Sequence, residues 1–147
     1  MGSSAARPDG TARTSRRLAG DRAEAAVATH LEAMGWHILG RNVRVGRCEL
    51  DIVALDAEDI LVIVEVRSRS APGFGAPEES VDAGKVARLY GAGWQLVRAR
   101  RLSDGRHLPD GLHVTAAPFR VDLVTVIRQA GMDEWEMARH LRGLSAP

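Results

Sequence analysis

The chain has one cysteine, Cys48, so it cannot close an internal disulfide and offers too few thiolates for a zinc cluster. A structural metal held through sulfur is excluded. It also has one lysine: of 20 lysines and arginines only Lys85 is lysine, which leaves 19 arginines. Arginine meets phosphate through a planar, permanently charged fork, whereas lysine can lose its proton in a suitable environment. No apolar run approaches the ~18 residues of a transmembrane span. Met1 to Arg17 lacks the apolar stretch of a secretory signal. A soluble cytoplasmic chain with no membrane partner is the expectation.

What is present fits one domain. At 147 residues the chain is long enough to bury a core unaided, and 45% hydrophobic with 27% charged residues is an ordinary globular balance. A net charge of +1 neither demands nor excludes nucleic-acid binding, because a local basic stripe suffices. No repeat indicates a solenoid.

The first 17 residues carry four arginines against one aspartate and no apolar period, so they read as a flexible basic tail preceding a single domain from Leu18 to Pro147. From Leu18 to Met34 the pattern turns helical, with Val27, Leu31 and Met34 on one stripe and Gly35 as the stop. Glu24 falls on the same inward face, out of character for it. Three extended runs follow, Trp36 to Val45, Cys48 to Leu55 and Ile60 to Arg67, joined by turns short enough for an antiparallel meander. The third is apolar on both faces through Val64, which marks a central, doubly covered strand. After a segment rich in Pro and Gly, Asp82 caps a second helix running to about Arg101, although Gly84, Gly91 and Gly93 weaken it. The stretch 102–118 lacks a period and reads as a loop insertion. Phe119 to Ile127 forms another strand, and Asp133 is expected to cap a terminal helix through Leu141.

Strict alternation along the second strand puts Glu49 and Asp51 on one face, with Leu50 and Ile52 on the other. Glu65 and Arg67 likewise share a face at the end of the central strand. Taken singly, Glu65 and Arg67 make a strand-end salt bridge and Asp51 a solvated turn residue. Taken together, Glu24, Asp51 and Glu65 come from three elements that a meander plus helix brings to one end. Burying them is costly unless something positive sits among them, and a hard divalent cation with oxygen ligands serves that need.

Glu49-Leu50-Asp51-Ile52-Val53-Ala54, followed by Val64-Glu65-Val66-Arg67, resembles the D…(E/D)-x-K pattern of the PD-(D/E)xK nuclease superfamily. More closely, the chain resembles the YraN family of small bacterial proteins, which are similar to archaeal Holliday-junction resolvases. Supporting residues include Gly20 with Glu24, Gly35, Arg41-Asn42, Pro77-Glu78, the spaced Lys85…Arg88-Leu89, and Val121-Asp122-Leu123-Val124. The likeness covers about Leu18 to Ile127 by these residues. It implies an α/β fold with a restriction-endonuclease-like αβββαβ core, its mixed central sheet flanked by helices. It also implies that Asp51, Glu65 and the Val66 carbonyl hold Mg2+ or Mn2+, and that Glu24 adds a ligand or holds a water on the metal. Such an ion activates water and steadies charge on phosphate oxygens.

This chain departs from the pattern at the signature lysine, where it has Arg67, and at the usual glycine before the acidic run, where it has Cys48. Arginine keeps the positive charge but cannot act as a general base. Lys85 is an alternative if it reaches the site from the start of the second helix; otherwise it is a solvated helix-terminal lysine. Arg69, Lys85 and Arg88 are the candidate phosphate contacts. Arg98, Arg100, Arg101 and Arg106 track phosphates or simply solvate a helix end. Trp36, Trp94 and Trp135 read as core or interface anchors. His107 and His113 read as exposed, and Asp122 as a structural partner of Arg120 or another inward group. The implied functions are a metal-dependent endonuclease acting on DNA, including branched or irregular DNA, or a catalytically silent module binding nucleic acid or protein. A third reading assigns the sheet edge or tryptophan surface to a homodimer.

Overall fold

The computed structural model describes residues 9–69, 82–110, 118–128, 131 and 134–146, with side chains from Arg17 onward. Seven elements follow one another: α1 (Asp9–Ala33), β1 (His37–Val45), β2 (Cys48–Leu55), β3 (Leu61–Arg69), α2 (Ala83–Ala99), β4 (Arg120–Arg128) and β5 (Trp135–Leu141). The strands form one sheet in the order β1-β2-β3-β4-β5. β1, β2 and β3 are an antiparallel meander; β4 lies parallel to β3, as the crossover through α2 requires, and β5 returns antiparallel to β4. This is a mixed α/β architecture with the expected αβββαβ order plus one edge strand. No helix among the described residues is long and apolar enough to cross a membrane.

β3 carries the core. Leu61 and Ile63 join Leu89, Leu96 and Val121 beneath α2, while Val62 and Val64 join Val27, Leu31 and Trp36 beneath α1. Period-two alternation therefore feeds two cores from one strand, and all four side chains are 1% exposed or less. Gly93 of α2 is required by this packing, because a Cβ there would stand 2.4 Å from the Phe119 ring. The helix-weakening glycine thus permits close helix–sheet contact.

Several expectations are corrected. α1 begins at Asp9, so residues 9–17 of the expected basic tail are helical. Ala12, Arg13, Arg16 and Arg17 are strong helix formers and need no apolar stripe to continue a packed helix outward. Met34 lies beyond the helix in the turn that Gly35 closes at φ +87°, and is 40% exposed. The terminal helix is instead β5. Glu136, Met137, Ala138 and Arg139 favour a helix in isolation, but β4 presents an unpaired edge whose backbone groups β5 satisfies. Asp133, its expected cap, lies outside the described residues. Leu50 and Ile52 do not share a face: Leu50 packs beneath α2 and Ile52 beneath α1. The break in alternation falls at Asp51, where pairing with β3 has ended.

The start of the expected insertion is structured. Arg100 ends α2 in the left-handed conformation at φ +53°, and the chain doubles back through an Arg101–His107 bridge. Leu102 and Leu108 are buried against the α2-side core, and the Arg106 guanidinium donates to the Leu39 carbonyl. Residues 102–110 therefore plug the core, where a long structureless loop was expected; 111–117 lie outside the described residues, His113 among them. Of the tryptophans, Trp36 is buried, Trp135 half-buried and Trp94 44% exposed.

Candidate functional site

The β2–β3 ladder runs from Leu55↔Leu61 to Ile52↔Val64 and then stops. Beyond it the Val66 N–H donates to Asp51 Oδ2 at 2.9 Å, so a carboxylate replaces the backbone partner the ladder no longer supplies. The N–H and C=O of one strand residue point the same way, so the Val66 carbonyl also opens toward Asp51. A gap between paired strands, floored by an acid and a carbonyl, is a place for a polar guest.

Glu65 stands beside that gap. Its side chain is 6% exposed; Arg67 Nη2 lies 3.5 Å and Lys85 Nζ 3.7 Å from Oε1, while Oε2 is buried with no hydrogen-bond partner. Burial pushes the Glu65 carboxyl up, Asp51's charge pushes it further, and Lys85 and Arg67 pull it back, leaving it at about 7. Glu24 approaches from α1, also with a buried Oε2 lacking a hydrogen bond, and with Arg41 Nη2 3.9 Å away. Burial and then Asp51's charge raise it, Arg41 lowers it and Asp21 raises it, again to about 7. Two acids raised toward neutrality by burial and by a third acid between them mark a candidate functional site.

The donor set is all oxygen and suits a hard cation, and the unpartnered Glu65 Oε2 beside Asp51 fits one. Among the described residues no group of three or more His, Cys, Asp or Glu side chains closes into a ready-made cage. The fit therefore rests on Asp51, Glu65 and the Val66 carbonyl, with Glu24 tied to Arg41 behind them. Lys85 reaches the site because Asp82 caps α2: its side chain accepts the Lys85 N–H at 2.7 Å and fixes the turn that carries the lysine.

The structure thus brings Glu24, Asp51, Glu65, Val66, Arg67 and Lys85 together. Arg88 is exposed one turn along α2 and shares a groove with Lys85 rather than touching the acids. Arg69 ends β3, paired in register with Ile127. Arg106 is committed to Asp104 and Leu39, which removes it from the phosphate candidates. Sequence reasoning gave no role to Arg41, which holds Glu24 and donates to the Asp21 carbonyl at 2.9 Å. The signal was its register opposite Ile52, one residue from Asp51.

Asp122 belongs to a different centre. It is fully buried and accepts from Arg120 Nε at 2.8 Å and from the Gly143 N–H at 2.9 Å, with His140 Nε2 at 2.8 Å; Arg120 also binds Asp56 at 2.9 Å. The structural role expected for it holds.

A five-stranded mixed sheet between two helices, broken open where β2 and β3 part around acids, defines an α/β protein with a restriction-endonuclease-like core. Residues 23–126 match the family described as Uncharacterised protein family UPF0102. The chain is 41% identical over 118 residues to a UPF0102 protein of Sorangium cellulosum, covering 78% of this chain and 81% of that one. With the UPF0102 protein of Paenarthrobacter aurescens identity is 38% over 127 residues, 86% and 93% of the two chains. A Bacteroides thetaiotaomicron relative shares 38% over 112 residues, 76% and 81%. The chain belongs to UPF0102, the YraN family.

Proposed function

We propose that this is a cytoplasmic, metal-dependent endonuclease of the PD-(D/E)xK kind, hydrolysing DNA phosphodiester bonds, with branched or irregular DNA as its substrate. The observation that carries the reading is Glu65: deeply buried, one oxygen unpartnered, beside Asp51 at the only point where β2 and β3 part among the described residues. Asp51, Glu65 and the Val66 carbonyl would hold Mg2+ or Mn2+. Bound there, a divalent cation lowers the pKa of water and offsets charge building on the phosphate oxygens.

The chain's own side chains divide the remaining work. Arg67 stands at the signature lysine position with its Nε buried and unpartnered and its Nη2 on Glu65, so it orients that carboxylate. Lys85 approaches the same oxygen from the start of α2, on a flexible stem 29% exposed, and is a cation placed to meet a phosphate. Glu24, held by Arg41 and raised toward neutrality, can hold or move a proton at the edge of the site.

The test is cleavage of duplex, single-stranded, flapped and four-way DNA with Mg2+ or Mn2+ by the wild type and Asp51→Asn. Metal-dependent cutting lost in the variant, by about a thousandfold or more, is the expected result. Absence of cutting on every substrate, with DNA binding intact in both proteins, would establish a silent nucleic-acid-binding module instead. That second reading draws on the two cations already sharing Glu65 Oε1. Loss of activity in Arg67→Ala but not Lys85→Ala would remove Lys85 from the site's chemistry.

A further inference from the structure

Most arginines near the acids are committed. Arg41 holds Glu24, Arg67 holds Glu65, Arg106 holds Asp104, and Arg120 holds Asp56 and Asp122. Arg47 and Arg88 are both exposed, and neither forms an ion pair with any described residue. Both line a groove of about 460 Å³ between the β1–β2 turn and α2, whose lining also includes Lys85, Glu49, Ala92 and Gln95. With Lys85 paired to Glu65, Arg47 and Arg88 against Glu49 still leave the groove positive, and Lys85 joins it directly to the acid site. Uncompensated charge leading away from a phosphate-handling site is placed to follow a polyanion.

The groove's dimensions narrow the guest. From Lys85 to Gln95 the helical wall runs ten residues, ~15 Å, room for only a few phosphates of one strand. At the far end the walls meet: Gln95 Oε1 would stand 3.5 Å from a Cβ on Gly46 of the turn. A groove of about 460 Å³ closed at this end admits one backbone rather than a through-running duplex.

We propose that this groove seats the sugar–phosphate backbone of a single nucleic-acid strand, led from Lys85 past Arg88 and Arg47 on the α2 side of the acid site. The inference rests on the nucleic-acid reading above but not on catalysis. It is tested by anisotropy of a labelled single-stranded oligonucleotide and of the matching duplex, without divalent metal, over a range of salt. Expected for Arg47→Ala/Arg88→Ala is a fall of about 1.4 in the slope of log K against log salt on the single strand, about 0.7 per lost contact. Arg47→Lys/Arg88→Lys and Arg98→Ala/Arg100→Ala should keep the wild-type slope. An unchanged slope in the alanine pair, or a fall confined to the duplex, overturns the groove. A wild type that binds no nucleic acid overturns the nucleic-acid reading as well. A slope change in a protein that cuts nothing supports the groove and overturns only the enzyme.

Discussion

Asp122 is more deeply buried than Glu65, yet the two acids are driven in opposite directions. Burial would raise Asp122, but hydrogen bonds from His140, Arg120 and the Gly143 N–H, with the Arg120 charge, outweigh it and hold the carboxyl below its usual range. Asp56 is lowered in the same way, with its burial outweighed by the Ile60 N–H, Arg120 and the Glu58 N–H. Glu65 and Glu24 have cations near them, but each keeps an oxygen with no donor, and Asp51's charge adds to the burden. Depth of burial therefore does not separate structural acids from candidate functional ones. Completeness of the donor set does.

Three experiments would break or sharpen that contrast. The largest effect is expected from Asp122→Ala, which strands Arg120 and His140 around a buried gap. Denaturant melts should show a loss of about 3–5 kcal/mol, and a loss no bigger than a surface substitution gives would end the structural assignment. Next come Glu65→Gln and Glu24→Gln, which should stabilise the metal-free protein. Each glutamate's folded pKa, about 7, lies above its ordinary 4.5, so its contribution favours the fold below 4.5 and is withdrawn as pH rises through 7. At about pH 8 each variant should therefore gain about 2–3 kcal/mol, fading toward pH 4.5. Asp122 has the reverse sign: its contribution is present above its ordinary 3.8 and lost as acid is added. A gain that persists undiminished in acid would show that charge is not its source. The smallest effect is a rise in Tm with Mn2+ near pH 8, worth about 1.4 kcal/mol at about tenfold Kd. Asp51→Asn should abolish it, and an equal rise in both proteins would place the ion elsewhere.

The parts of this molecule that were legible in its residues are those set by neighbours in sequence. Cys48–Leu55 has the bounds its turns imply, Asp82 caps α2, and the apolar run through Val64 is the doubly covered strand. Glu24, Asp51 and Glu65 could be brought together on paper because a meander plus one inward helix face leaves few other arrangements. What was not legible depends on partners far along the chain. β5 has the residues of a helix and becomes a strand because β4 has an open edge. Asp51 breaks the alternation of β2 because the ladder to β3 ends there, which no local pattern announces. Arg41 and Arg47 were hidden by abundance: among 19 arginines, only the structure separates those that hold an acid from those that hold nothing.

The Val66 amide, bonded to a carboxylate instead of a carbonyl, has a consequence beyond architecture. Its proton is a built-in probe of Asp51: whatever draws charge from that carboxylate weakens the bond, moves the amide resonance and hastens its exchange with solvent. A single labelled valine would therefore show, in solution and without any substrate, when the gap between the strands is filled.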